Sequence, residues 1–165
     1  MPYSAAAVAN ELLDRAAGGR HALTQINIQK LVYFAHGWHL AWRGTPLILG
    51  TFEAWRYGPV VRDLYNQFRR FGSAPITDKA REFSVNRLNQ VVTSVPALDH
   101  SEAGEYARGV IGAVWKQYGS LKPFQLVELT HVKGSPWEKA RQAGLDIIEN
   151  EAIREYFSAM AKSVG

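Results

Sequence analysis

Apolar residues recur along this chain mainly at helical spacing, with one short stretch of strand alternation near residue 55. Ser4 as N-cap and Gly18-Gly19 as stop bracket a first helix ending near Ala17, with Val8, Leu12 and Leu13 as its apolar stripe. A second helix from about Thr24 to Trp42 places Ile28, Leu31, Val32, Ala35, Trp38 and Trp42 on one face. Tyr33 and Phe34 widen that face, and a helix apolar over most of its circumference is expected to be central and buried. Gly44-Thr45-Pro46 breaks it.

Residues 47–57 read as extended. Phe52, Ala54 and Arg56 alternate with Glu53, Trp55 and Tyr57, which puts Trp55 and Tyr57 on one strand face. Pro59 fits the first turn of a helix, where its missing N–H costs nothing. That helix turns Val61, Leu64, Tyr65, Phe68 and Phe71 inward and Arg62, Asn66, Arg69 and Arg70 outward, and ends at Gly72 to Pro75. Phe83 to Leu88 and Gln90 to Val95 have weaker strand character. Three further helices are expected before the last: from Asp99 or Ser101 to Tyr118, from Pro123 to near His131, and from Ser135-Pro136-Trp137-Glu138 to Gly144. Asn150 is expected to cap the last helix, whose core face holds Ile153, Tyr156, Phe157, Met160 and Val164. The pattern predicts a mainly α (α+β) fold: a compact single domain over residues 1–165, with six or seven helices and a few short β-strands.

Composition supports that reading: 47% hydrophobic residues, with seven Phe, seven Tyr and five Trp, are enough for one substantial core. The chain has no cysteine, which excludes disulfides and thiolate-metal sites and fits a cytoplasmic location. Met1-Pro2-Tyr3-Ser4 does not open a signal peptide, and no apolar run approaches the roughly 18 residues of a membrane span. The net charge of +4 is uneven: residues 1–90 hold 11 Lys/Arg against 6 Asp/Glu, residues 91–165 hold 8 against 9. A basic front half attracts an acidic protein or nucleic acid, or is simply a solvated surface. No Lys/Arg run of the kind that marks a nucleic-acid arm is present.

No catalytic constellation stands out. His36 and His39, three apart on a helix, are suited to share a metal, but no third ligand accompanies them in sequence. Hydrogen-bonded histidines beside Trp38 are the simpler reading, and no cofactor or metal is expected. Glu53 and Asp63 have no spacing that brings them together, and ion pairs with Arg56 or Arg62 are the expected outcome. His131, one turn after Glu128, reads either as a general base or as a residue satisfying carbonyls at a helix C-terminus. No G-x-S-x-G, G-x-G-x-x-G or phosphate-loop pattern occurs. Trp55, Tyr57 and Trp137, near Arg56 and Arg62, combine aromatic area with forked donors, the mix found at protein interfaces. Filling of the core and stacking on RNA bases are the other readings of those rings.

Gln29-Lys30-Leu31-Val32-Tyr33, Pro46-Leu47, Phe52-Glu53-Ala54-Trp55 and Gly58-Pro59-Val60-Val61 resemble, in that order, the Panacea domain of SocA-like antitoxins, a group that includes phage-associated proteins called GepA. The resemblance continues through Leu129-Thr130-His131, Pro136-Trp137, Ile153 and Tyr156-Phe157. Lys122 before Pro123 departs from the small N-cap usual there, with Ser120 as a substitute cap. The resemblance implies a non-enzymatic antitoxin that binds a cognate toxin and neutralises it by masking or by proteolysis, with an ATP-dependent protease as further partner in the second case. It supplies no catalytic residues. On this reading Trp55, Arg56, Tyr57, Arg62 and Trp137 form part of the toxin-binding surface. The alternatives are a small hydrolase using His131 and a carboxylate, or a nucleic-acid-binding phage accessory protein using the arginine-rich helix face.

Overall fold

In the computed structural model, which describes residues 1–19 and 21–164 with the side chain of Val164 excepted, one helix organises the rest. Helix α1 (Ala5–Ala17) is capped by Ser4, whose hydroxyl accepts from the Ala7 N–H at 3.2 Å. Helix α2 (Gln25–Arg43) starts at Thr24, with Thr24 and Asn27 exchanging side-chain-to-backbone bonds, and stops at Gly44 in the left-handed conformation. The remaining elements are β1 (Phe52–Trp55), β2 (Gly58–Val60), α3 (Arg62–Phe68) with a 3₁₀ turn at Arg69–Phe71, β3 (Glu82–Val85), β4 (Val91–Ser94), α4 (Glu102–Tyr118), α5 (Pro123–Thr130), α6 (Pro136–Gln142), β5 (Ile147–Ile148) and α7 (Asn150–Val164). The fold is mainly helical with short antiparallel strands, as the periodicity predicts.

Helix α2 is the hub: α1, α3, α4, α5, α7 and β2 all pack on it. Ile28, Leu31, Val32, Tyr33, Phe34 and Ala35 are buried, and Tyr33 and Phe34 meet Phe157 of α7 edge to face. Gly37 permits that approach, since a Cβ there would lie 2.3 Å from the Phe157 ring. The same helix also buries Asn27, Gln29, Lys30, His36 and His39. These side chains reach other segments of the chain: Asn27 donates to Leu121 O, Lys30 to Pro59 O of β2, and His39 bonds Thr45 O. Buried polar groups are mostly paired, and here the pairing stitches neighbouring segments onto the central helix.

Several expectations change. Trp42, expected on the core face, is 48% exposed and stacks on the half-buried Trp38. Pro59 lies in strand β2 instead of opening a helix, because Trp55 pairs with Gly58 across a two-residue turn and carries the chain back as a hairpin. β2 is the edge of a three-stranded sheet ordered β2-β1-β5, where a missing N–H is tolerated. The two-residue β5 gave no periodic signal. Tyr57 sits in the turn, so it does not share a strand face with Trp55. Asn150 is the first residue of α7, and its side chain reaches His36 at 2.8 Å. Gln125 Oε1, not Ser120, accepts the Lys122 N–H before α5. Ile153 and Phe157 are buried and Tyr156 and Met160 are half-buried on the expected face of α7; the Val164 side chain lies outside the described residues.

Candidate partner-binding site

The segments Gln29-Lys30, Phe52 to Val61, and Thr130 to Trp137 are far apart in sequence and meet at the β1–β2 hairpin. Gln29, buried in α2, accepts the Val61 N–H at 2.9 Å and donates to Val61 O at 3.2 Å. It thereby pins the backbone of the residue that precedes α3, a helix whose N-cap position, Val61, makes no side-chain cap bond. Lys30 is 1% exposed, and its Nζ donates to Pro59 O at 2.9 Å. Burial with no carboxylate within 4.0 Å, among the described residues, pushes its pKa down to about 7. Gly58 has φ +111°, and a Cβ on it would stand 2.7 Å from both Lys30 Cε and Thr130 Oγ1. Only glycine fits this close crossing of hairpin, α2 and α5.

Trp137 closes the outer side. Its indole N–H donates to the Trp55 carbonyl at 2.6 Å, and its ring stacks on His131 with centroids 3.7 Å apart and planes 4° apart. Ser135 caps α6 and also donates to Thr130 O at 2.8 Å, which fixes the corner between α5 and α6. Arg141 donates to Ala54 O at 3.1 Å from the next turn of α6. Trp55 packs edge to face on Tyr65 at 4.8 Å and under the Arg62 guanidinium at 5.3 Å. Arg62 itself makes a bidentate pair with Glu53, at 2.7 and 2.9 Å, which holds the Glu53 carboxyl below its ordinary range. This is one of the two ion pairs the sequence suggests. Asp63 is not part of it.

The five sequence-selected residues therefore divide. Trp55, Arg62 and Trp137 brace the hairpin. Arg56 and Tyr57 form its tip, both exposed, with the Arg56 guanidinium 5.4 Å from the Tyr57 ring. Tyr57 is 48% exposed and meets the edge of Phe124, itself 60% exposed. The sequence pattern assigns no role to Phe124, Lys30 or Gln29, although Gln29-Lys30 belongs to the ordered motif set. A lysine inside an otherwise apolar helical face was the available signal.

The three histidines weighed from the sequence have different surroundings. His131 has its face covered by Trp137, and its Nε2 is buried with no hydrogen-bond partner among the described residues. Burial, then the Lys30 and Arg141 charges, lower its pKa. No carboxylate lies beside the ring among the described residues, so the dyad required for hydrolysis is not assembled there. His36 is fully buried between Asn150 and the Ile48 N–H, and burial pushes its pKa down to about 4. His39 turns to Thr45 O, so the two rings of α2 have separate partners. Among the described residues, no three His, Asp or Glu side chains gather as a metal site, and no helix is long and apolar enough to cross a membrane.

The profile of the family described as antitoxin SocA-like, Panacea domain, matches residues 28–138. That stretch contains every residue of the site except Arg141. The chain is 36% identical over 134 residues to Antitoxin SocA of Caulobacter vibrioides (strain NA1000 / CB15N), covering 81% of this chain and 68% of that protein. No solved structure matches it. The profile spans more than half of the chain and the relative is similar over most of its length, so this chain belongs to the SocA-like antitoxin family and carries its Panacea domain.

Proposed function

We propose that this protein is a non-enzymatic antitoxin that neutralises a cognate toxin by direct binding, with the β1–β2 tip as part of the contact surface. The observation that carries the surface is the exposed Tyr57–Phe124 pair beside Arg56, mounted on a hairpin held by Gln29, Lys30, Trp55, Arg62 and Trp137. Rigid aromatic area beside an arginine dominates interface energetics when its conformation is fixed before binding. Lys30 is too buried for a substrate to reach, and one face of the His131 ring is covered by Trp137, which favours binding over catalysis. Neutralisation proceeds in the cytoplasm, by masking the toxin or by delivering it to an ATP-dependent protease. The basic front half favours an acidic toxin face and speeds encounter.

Co-expression with the neighbouring gene's product tests this. Wild type should rescue growth and bind the product, while Tyr57→Ala and Arg56→Glu variants should stay folded and bind at least about tenfold more weakly. Arg62→Glu is a poorer probe, because it also strips Glu53 of its partner. Folded Tyr57 and Arg56 variants with unchanged affinity would place the surface elsewhere. A neighbouring product that is not toxic, or that wild type does not bind, would remove the antitoxin reading.

A further inference from the structure

From Phe83 to Val95 every residue is exposed, so β3 and β4 form an arm that stands out from the body. Its register pairs Phe83 with Thr93 and Val85 with Val91. Paired residues share a face, so Phe83, Val85 and Val91 lie with Thr93 on a mainly apolar face, while Glu82, Ser84, Val92 and Ser94 lie on the other side. Phe83 is 70% exposed, Val85 62% and Val91 73%. An antiparallel sheet with one apolar face normally lays it on a core, and a lone two-stranded hairpin is marginal in water. This one is nonetheless fastened at its stem. Buried Asn10 donates to both Ala80 O and Pro96 O at 3.0 Å and accepts the Ala80 N–H at 2.8 Å. The Gln67 side chain bonds both the N–H and the carbonyl of Arg81.

The apolar face adjoins a cleft of about 850 Å³ between the arm's base and α3, whose lining mixes Arg62, Arg70 and Arg81 with Glu53, Asp63 and Glu82. Residues 62–71 and 81–95 together hold five arginines against Asp63 and Glu82. Among the described residues, Arg69, Arg81 and Arg87 have no carboxylate within 4.0 Å. Two arms face to face would bring these like charges together. A handful of apolar side chains also falls well short of the roughly 800 Å² per partner of a stable interface, so a second copy is a poor occupant.

We infer that the apolar face of the β3–β4 arm, with the unpaired Arg81 at its base and Arg87 in its connecting turn, clamps an apolar, acid-rimmed segment of the toxin, as a second contact beyond the β1–β2 tip. This rests on the antitoxin reading above. The test compares wild type, Phe83→Ser/Val85→Ser/Val91→Ser and Arg81→Glu/Arg87→Glu in calorimetric binding to the neighbouring gene's product, with thermal melts and light scattering on each protein alone. The apolar variant should melt like wild type and bind about 100-fold more weakly. The charge variant should bind at least about tenfold more weakly at low salt, and it carries the test should the apolar variant melt early. Wild-type binding with unchanged affinity in a folded variant would overturn the arm and leave the antitoxin reading standing. No binding by wild type would overturn both. A wild-type dimer that the apolar variant converts to monomer would make a second copy the occupant and overturn the inference.

Discussion

The β1–β2 and β3–β4 hairpins are both short antiparallel pairs, yet one is braced along its strands and the other only at its stem. In the first, Phe52 meets Tyr33 and His36, β5 adds a third strand, and Gln29, Lys30, Trp137 and Arg141 all bond its backbone or the residue just after it. In the second, Asn10 and Gln67 hold the ends and nothing covers the apolar face. Alternation therefore reports which face is apolar, not what lies against it. The difference comes from polar side chains elsewhere in the chain that reach the backbone of one hairpin along its length and of the other only at its base.

The sharpest way to break the braced hairpin is at its crossing point. Gly58→Ala adds a methyl against Lys30 and Thr130 at a backbone angle that alanine rarely adopts. Strain and overpacking together should cost about 3 kcal/mol or more in chemical denaturation. The matching position in the arm is Asn89, the non-glycine residue with φ +59°. Asn89→Gly should move stability by less than about 0.5 kcal/mol, since glycine accepts that angle at least as well. A loss below about 1 kcal/mol at Gly58 would mean that the hairpin slides away from α2 at little cost.

Proton linkage separates the two hairpins next. Unfolded, Lys30 keeps its proton to its ordinary 10.5; folded, it releases it near 7. Between those values the unfolded chain binds more protons, so stability should rise with pH by at most about 1.4 kcal/mol per unit. Below pH 7 both forms are protonated and Lys30 adds no slope. His36, lowered from 6.5 to about 4, adds a slope of the same sign across that lower window. Above pH 10 the buried Tyr33 hydroxyl, raised by burial, turns the trend downward. Denaturation midpoints at pH 5, 7 and 9 should therefore climb, and Lys30→Met should flatten the step from 7 to 9. An unchanged step in that variant would assign the slope to another group.

A smaller effect is expected at the outer brace. Trp137→Phe keeps an aromatic ring over His131 but removes the donor to Trp55 O. The orphaned carbonyl should cost about 1–2 kcal/mol, and toxin binding should weaken further as the tip loosens. No loss of stability would show that water or Arg141 takes over the carbonyl.

The helices were legible because their signals are local. Ser4, Thr24, Ser101 and Ser135 cap where the sequence suggests, and the wide apolar face of α2 marks the hub. Pro59 misled because a proline after glycine suits both a helix start and an edge strand, and the choice was made by the Trp55–Gly58 pairing. Trp42 misled because periodicity does not say where a neighbouring helix ends. At the site, Trp55 and Trp137 stood out by type, but their bracing roles depend on a bond across 82 residues. Lys30 is the clearest case: its place in a motif was visible, and its buried bond to Pro59 is a tertiary fact.

The smallest expected effect concerns the arm. Val85 and Val91 oppose each other across β3–β4 and stay 62% and 73% exposed. Val85→Thr and Val91→Thr keep the branched side chains that suit strands while making the face polar. With no core behind them, only the cross-strand contact is altered, so each should change stability by about 0.5 kcal/mol or less. The equivalent exchange in the braced hairpin, Val60→Thr at a site only 6% exposed, places a hydroxyl against buried surroundings and should cost about 1–2 kcal/mol. Denaturation of the three variants side by side reads the contrast directly. A loss of about 2 kcal/mol at Val85 or Val91 would mean that the arm folds down onto the body in solution, and that its apolar face is not free to meet a partner.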